Sequence, residues 1–385
     1  MERGSCRMKI IIIGGGIGGF TAALALQPQH EVHVYERSPS FEPLGTGIGI
    51  GSNALQALID LGIGEDVRKF GNPINRLLFL DEKGETLNFI NFGHLNKNFG
   101  VENLTIHRGH LHQILYSYLF KQNVHFNKHC LNVTYRNDKV YATFQDGEEV
   151  HADLLIAADG ISSVIRQAIL PESTPKYAGY TCWRGVTGNN GLVNTDTSSE
   201  IWSTKGRFGY APLIDNKLYW FACINAEQQD AYYQNVGPER LAEMFKDHPP
   251  IVRNMILNTD SDTLLHHDIS DIKPLSQFVF NRIVLLGDAA HATTPNMGQG
   301  AGQAIEDAVT LANLLKRYEV NQALNMYEKE RTGHTKKVIQ ISRMIGKASQ
   351  IQSPFLAWIR NFIFHFVPSR LLIWRLKFLF ERNLS

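Results

Sequence analysis

The sequence predicts an α/β fold: a parallel-sheet unit, interrupted by a second and mainly β unit, and closed by C-terminal helices. Three observations predict it. Near the start, a short apolar run from Lys9 to Ile13 meets a cluster of glycines, then helical spacing through Leu26, then the alternating run Glu31–Glu36 (EVHVYE). That is the order of a βαβ unit. From Tyr177 to about Phe278 the texture changes to alternating strands rich in Tyr, Trp and Phe, such as Lys217–Ile224 (KLYWFACI). At Ile283–Leu286 (IVLL) the buried-strand pattern returns and runs into Gly287–Asp288. The first unit therefore resumes after the β unit ends.

The elements follow in order. Gly45–Gly51 (GTGIGIG) reads as a second glycine-rich loop, with Ser52 or Asn53 capping a helix through Leu61. Leu77–Leu80 and Thr86–Phe89 read as a hairpin turned at Glu82–Gly84. Arg108–Phe120 has helical apolar spacing, and Leu131–Tyr135 with Val140–Phe144 makes a further strand pair joined near Asn137–Asp138. Asp153–Ala157 (DLLIA) is a buried strand entering the Asp159–Gly160 turn. A helix is predicted near Pro238–Lys246 and another from Gln299 to Lys316. The tail from Phe355 to Phe380 mixes Trp and Phe with Arg360, Arg370, Arg375 and Lys377, which implies two amphipathic helices broken at Pro368.

Composition excludes some classes of function. Lys and Arg number 38 against 37 Asp and Glu, so no broad electrostatic pull on nucleic acid is expected. The four cysteines, Cys6, Cys130, Cys182 and Cys223, form no C-x-x-C pair and fit no zinc spacing, which reads as reduced thiols in a cytoplasmic protein without a metal site. Arg7 and Lys9 before an apolar stretch imitate a secretory signal, but the glycines at Gly14–Gly16 and Gly18–Gly19 interrupt its would-be core. No segment has the unbroken apolar length of a membrane span.

Gly14-x-Gly16-x-x-Gly19 carries the first chemistry. Glycines permit a tight turn and let backbone N–H groups approach a pyrophosphate at a helix N-terminus. Glu36 ends the next strand, where a carboxylate can accept hydrogen bonds from ribose hydroxyls. Strand, glycines, helix, strand and terminal acid in this order make a Rossmann-type dinucleotide site. They do not choose between FAD and NAD.

Two later motifs make that choice. With DLLIAADGISSVIR at Asp153–Arg166 and VLLGDAAHATTPNMGQGAGQAIEDA at Val284–Ala308, the chain resembles the single-component, class A flavoprotein monooxygenases, or aromatic hydroxylases. The closest texture is the branch with urate hydroxylase and zeaxanthin epoxidase, and the resemblance covers almost the whole chain. It implies a Rossmann-type FAD-binding domain formed by residues 1–72, 98–176 and 277–345. Residues 73–97 and 177–276 would form a β-sheet substrate domain, and 346–385 a C-terminal helical cap. Asp288 would hold the ribityl chain of FAD. Gly298, Gln299 and Gly300 would face the flavin's pyrimidine edge with backbone N–H groups. Pro295 would line the reaction cavity. Asp159 and Gly160 resemble a motif that serves both FAD and NAD(P)H binding, Arg108 matches an FAD-contacting arginine, and Ile17, Arg37, Gly47, Gly287 and Ala301 complete the implied cofactor set. One departure stands out: many relatives carry Asn where this chain has Gly302.

The same resemblance implies the reaction. NAD(P)H would reduce FAD, O₂ would form a C4a-hydroperoxide, and one oxygen atom would pass to a small aromatic, heterocyclic or polycyclic substrate. Substrate contacts would come mainly from the β domain. Arg207 (in GRFGYAPL) and Tyr219 (in KLYWF) fall near substrate-facing positions, with Arg184 as a further candidate; arginine beside aromatics can fix an anionic or electron-rich ring. A halogenase or reductase on the same fold is the nearest rival, although the W-x-W-x-I-P motif of halogenases is absent; a flavin-binding protein without turnover is another. His291 reads as a packed or helix-end residue rather than a catalytic base, and His266–His267 as a polar loop rather than a metal site. The basic, aromatic tail reads as a cap packed across the two domains, with lying on a membrane as the alternative. Oligomeric state and the identity of the substrate do not follow from the sequence.

Overall fold

The computed structural model describes residues 7–93 and 102–380. Its first layer is a six-stranded sheet in the order Val279–Phe280, Ile283–Leu285, Leu154–Ala157, Lys9–Ile13, Glu31–Tyr35, Val124–His125. All neighbours are parallel except the outermost Val279–Phe280 pair. Strands of a parallel sheet are covered on both faces, so they need continuous apolar sequence. Ile10, Ile11, Ile12 and Leu154 to Ala157 accordingly lie fully buried. The Ile17–Leu26 helix covers this sheet and meets the Gly300–Arg317 helix, with Gly18 backing onto Ala304.

The second layer is a seven-stranded sheet in the order Leu265–Asp271, Lys176–Gly188, Lys217–Asn225, Arg207–Leu213, Thr197–Trp202, Arg76–Leu80, Thr86–Asn91. The Arg76–Asn91 hairpin thus forms one edge, far in sequence from its neighbours. Strand alternation gives this sheet two different faces. Trp183, Phe208, Leu218, Trp220 and Ala222 point to one side, where they pack on Leu241, Phe245, Val252 and Met255 of the Pro238–Met244 and Pro250–Leu257 helices. Tyr180, Cys182, Arg184, Arg207, Tyr219, Phe221 and Cys223 take the other side by register.

Several expectations need correction. Gly45–Gly51 is not simply a loop: Gly47–Ile50 is a strand paired antiparallel with Asn103–His107. Ser52 and Asn53 do not cap the following helix but lie inside it, and Gly51 is the capping residue, with no side-chain hydrogen bond. His266 and His267 are not in a loop; they belong to the Leu265–Asp271 strand, where His266 stacks on Trp183 at 4.6 Å. The expected domain boundary at 345/346 falls inside the continuous Val320–Ser349 helix, and that at 72/73 inside the Gly71–Ile74 strand. The boundary at 97/98, Cys6 and residues 381–385 of the cap lie outside the described residues. The two tail helices form as expected, at Pro354–Phe366 and Ser369–Phe380, but packing as a cap accounts for only one side of each.

Candidate active site

The strand ends of the parallel sheet converge on one crevice. Gly14 has φ +105°, and a Cβ there would collide with the Ala158 carbonyl, so the turn demands glycine. Gly19 backs onto the Gly14 carbonyl in the same turn. Gly16 is different: a Cβ at Gly16 would meet nothing within 4 Å. It caps the Ile17–Leu26 helix without any side-chain hydrogen bond, so the first N–H groups of that helix open onto free space. Ile17 lies buried beneath, and Arg37 is exposed at the rim. Glu36 is held in place: Oε2 accepts from Gly15 N at 2.6 Å, and Oε1 from Ser38 N and Oγ, both at 2.9 Å. Burial pushes the Glu36 carboxyl up, but those hydrogen bonds outweigh it and hold the group below its ordinary range.

Asp159–Gly160 and Gly287–Asp288 follow the neighbouring strands Leu154–Ala157 and Ile283–Leu285, whose register sets them side by side. Asp288 is open to the crevice, yet so much protein surrounds it that desolvation raises its carboxyl, opposed by His291, Arg108 and Arg166. Arg108 opens the Arg108–Ser117 helix and donates from Nη1 to the Leu44 carbonyl at 2.9 Å. Pro295 and Gly298 are exposed to solvent, and Gly298 takes the left-handed conformation that lets Gln299 and Gly300 start the next helix with Ala301 in its first turn.

The residues present fit an extended dinucleotide. Asp159 Oδ1 is buried without a protein partner, and Cβ atoms at Gly16, Gly160, Gly298 and Gly300 would all meet empty space. Gly302 has a local reason to be small. Its Cβ would lie 3.2 Å from Gln299 Oε1, which already accepts from Asn53 Nδ2, so an asparagine there would compete with this pair.

Three supporting residues escaped the sequence reading. Arg166 is wholly buried and donates from Nη2 to the Ile161 carbonyl at 2.5 Å and from Nη1 to the Ala289 carbonyl at 3.1 Å, tying the Asp159 turn to the Asp288 turn. His112 places Nε2 2.6 Å from the Gly15 carbonyl, and burial lowers its pKa, so the neutral ring donates there. His112 lies four residues after Arg108 on the same helix face, a spacing visible in HRGHLH. Glu200 is the third.

Glu200 changes the meaning of Arg207. The two side chains meet diagonally across the Thr197–Trp202 and Arg207–Leu213 strands, with Arg207 Nη2 donating to Glu200 Oε2 at 2.7 Å. Arg207 Nη1 donates to Asn296 Oδ1 in the loop after Pro295, and its guanidinium lies 5.2 Å from the Phe221 ring. Arg207 is 3% exposed and its Nε has no partner. The wall is therefore charge-balanced at this point. Tyr219 packs its ring root against Gly47, where any Cβ would collide with it, and so joins the β sheet to the cofactor side. Arg184 stands between Tyr219 and the Arg108–Asp288 region and forms no ion pair among the described residues. The buried Cys182 thiol and the Tyr219 hydroxyl beside it favour its charged form.

His291 is not aimed at a substrate. It is 2% exposed and bonds Asp307 at 2.6 Å, within a buried network of Asp307, Arg331 and Glu306.

A glycine cradle at the strand ends of a parallel sheet, faced by an antiparallel sheet presenting arginines and aromatics, is the build of an FAD-dependent monooxygenase, an oxidoreductase. The chain belongs to the FAD binding domain family, whose model matches residues 7–342. It is 35% identical over 364 residues to the aurachin C monooxygenase/isomerase of Stigmatella aurantiaca, covering 94% of this chain and 95% of that one. It is 29% identical to the 2-heptyl-3-hydroxy-4(1H)-quinolone synthase of Pseudomonas aeruginosa, over 94% and 95% of the two chains. The crystal structure of Klebsiella pneumoniae HpxO complexed with FAD and uric acid superposes with a TM-score of 0.90 at 28% identity, covering both chains fully.

Proposed function

We propose that this protein uses NAD(P)H and O₂ to hydroxylate a neutral, planar nitrogen heterocycle held between the flavin and the polar face of the seven-stranded sheet. The Glu200–Arg207 pair carries this reading. A buried arginine already balanced by a carboxylate offers directed N–H groups rather than net charge, which suits a neutral ring carrying carbonyl groups more than an anion. A quinolone of the kind named for the Pseudomonas relative has this chemistry.

FAD supplies the hard chemistry when bound: reduced by NAD(P)H, it activates O₂ so that one oxygen atom enters the substrate. The chain's own residues bind and orient. Gly14, Gly16 and Gly19 with the Ile17–Leu26 helix would hold the pyrophosphate, Glu36 a ribose, and Asp288 with Arg108 the ribityl region. Gly298 to Ala301 would face the pyrimidine edge. Arg207 and Tyr219 would position the ring, Arg184 would stabilise negative charge developing near it, and Pro295 would line the cavity.

The reductant has its own candidate place. A groove of about 680 Å³ beside Asn296 and Tyr180 is lined by Lys176, Lys273, Lys347 and an Arg343–Asp271 ion pair. Three cations without carboxylates of their own in that lining suit the diphosphate of a nicotinamide dinucleotide.

The test is a panel of alkylated quinolones, purines and phenolic acids, read by substrate-stimulated NAD(P)H oxidation and by product mass. A neutral heterocycle gaining one oxygen atom supports the reading. Turnover confined to anionic substrates would sink it. Lys176→Ala/Lys273→Ala should raise the KM for NAD(P)H at unchanged FAD content.

A further inference from the structure

We propose that the outer side of the two C-terminal helices is a docking surface for an anionic lipid bilayer, on which the protein lies without crossing it. The first observation is that the Pro354–Phe366 helix seats a mixed polar and apolar side and leaves an aromatic stripe outward. Its inward residues are Ala357, Arg360, Asn361 and Phe364. Arg360 Nη1 donates to the Ala348 and Ser349 carbonyls at 3.0 and 3.3 Å, and Nε and Nη2 donate to Asn361 Oδ1 at 2.9 and 2.8 Å. Phe364 stacks on Trp202 at 4.9 Å, while Asn88 Nδ2 holds the Phe364 and Val367 carbonyls.

The outward stripe is aromatic. Phe355, Trp358, Phe362 and Phe366 follow one another at three- and four-residue spacing, and each is more than half exposed, Phe355 at 68%. Their rings form a row, Trp358 to Phe362 at 5.8 Å and Phe362 to Phe366 at 5.1 Å. Leu356 and Ile363 flank it, also exposed. In the Ser369–Phe380 helix, Leu379 is buried against Val338, while Leu371 and Trp374 are exposed beside Arg370, Arg375 and Lys377. Both helices lie against the Thr86–Asn91 strand, so these exposed sides share one edge of the seven-stranded sheet.

The second observation is charge. Between Ile351 and Phe380 there are four Lys or Arg and no Asp or Glu, in a chain whose formal net charge is +1. A second copy of the chain docked about a two-fold axis would set Arg370 and Arg375 against their own equivalents, with no acid between Ile351 and Phe380 to pair them. An anionic bilayer satisfies both features at once: aromatic rings at the headgroup level and cations on lipid phosphates. Thirteen helical residues reach about 20 Å, short of the ~30 Å hydrocarbon core. Among the described residues no helix is long and apolar enough to cross a membrane.

The experiment uses the FAD-loaded full chain and two kinds of vesicle, pure phosphatidylcholine and phosphatidylcholine mixed with phosphatidylglycerol. Wild type should float with the mixed vesicles and far less with the neutral ones. Brominated lipid should quench Trp358 and Trp374, since Trp183, Trp202 and Trp220 are buried. Arg370→Gln/Arg375→Gln/Lys377→Gln should weaken partitioning on the order of a hundredfold. Trp358→Ser/Phe362→Ser should lose it with FAD content and unfolding midpoint unchanged. Wild type that stays in solution with mixed vesicles overturns the proposal. So does flotation without bromolipid quenching, or a concentration-dependent dimer that the Trp358→Ser/Phe362→Ser variant abolishes. Vesicle binding is measured without substrate or NAD(P)H, so neither result bears on the oxidation.

Discussion

Arg207→Met should be costly to stability, and Glu200→Gln in the same chain should restore most of what is lost. In the single variant the Glu200 carboxylate, 8% exposed, keeps only the Trp202 indole as donor, and Asn296 Oδ1 loses a donor too. Removing one partner of a buried ion pair typically costs about 3–5 kcal/mol, because the remaining charge stays buried without compensation. That is a large share of the ~5–15 kcal/mol that stabilises an ordinary domain. In the Arg207→Met/Glu200→Gln variant the orphaned charge is gone, and the new side-chain amide can still accept from the Trp202 indole. Its stability should return to within about 1–2 kcal/mol of wild type, a coupling that a double-mutant cycle measures directly. The assay is urea unfolding of the FAD-loaded protein followed by far-UV circular dichroism. A single variant within about 1 kcal/mol of wild type, or a double variant as weak as the single, refutes the reasoning. The folded double variant then separates two roles. If Arg207 touches substrate, hydrogen peroxide released per NAD(P)H will rise; if Arg207 only supports Asn296, coupling will follow stability.

Gly16→Ala should leave the apo fold intact, since its φ of −74° suits alanine and nothing crowds the new methyl, yet it should abolish FAD retention on gel filtration. Gly14→Ala should instead lower the unfolding midpoint of the apo chain, because its φ and the Ala158 carbonyl both oppose a side chain. Glu36→Ala and Asp288→Ala should each weaken FAD binding about ten- to a hundredfold by fluorescence titration, the loss of one charge-assisted hydrogen bond. For Asp307, burial alone would raise the carboxyl, but His291 and Arg331 outweigh it and hold the group at about 2 against an ordinary 3.8. A depressed carboxyl contributes stability above its unfolded value and loses it as pH falls, so about 2.5 kcal/mol should disappear between roughly pH 4 and pH 2. Asp307→Asn should flatten the stability curve in that window.

Much of the fold was legible because its signals are local. Ile10 to Ile13, the glycines after them and Glu36 sit within one βαβ unit, and the alternation in KLYWFACI declares its own pleat. What was misread depends on distant partners. Gly47–Ile50 looks like a loop because glycine disfavours strands, and only pairing with Asn103–His107 overrides that preference. Asn53 looks like a cap because its type favours caps, but its amide is used by Gln299 and Glu306, more than two hundred residues away. The arginine at 207 was legible and its neutralisation was not. Yet Glu200 lies seven residues before it in EIWSTKGRF, and a hairpin drawn through that segment sets the two on one face. The tail's two helices and their break at Pro368 were readable from periodicity; which side faced water was not, since both sides carry aromatic and basic residues.

Asn296 also constrains how this family member can drift over generations. Its Oδ1 accepts from Arg207 and, at 3.2 Å, from the Tyr180 hydroxyl, while Nδ2 donates to Thr294 Oγ1 and the Ser342 carbonyl, both at 2.9 Å. The amide fits only because position 346 on the long helix is glycine, where any Cβ would strike Nδ2. A lineage that fills position 346 must give up the asparagine, and losing it strips an acceptor from both Arg207 and Tyr180. The four positions are therefore expected to change together: a paralogue that exchanges one should have exchanged the others.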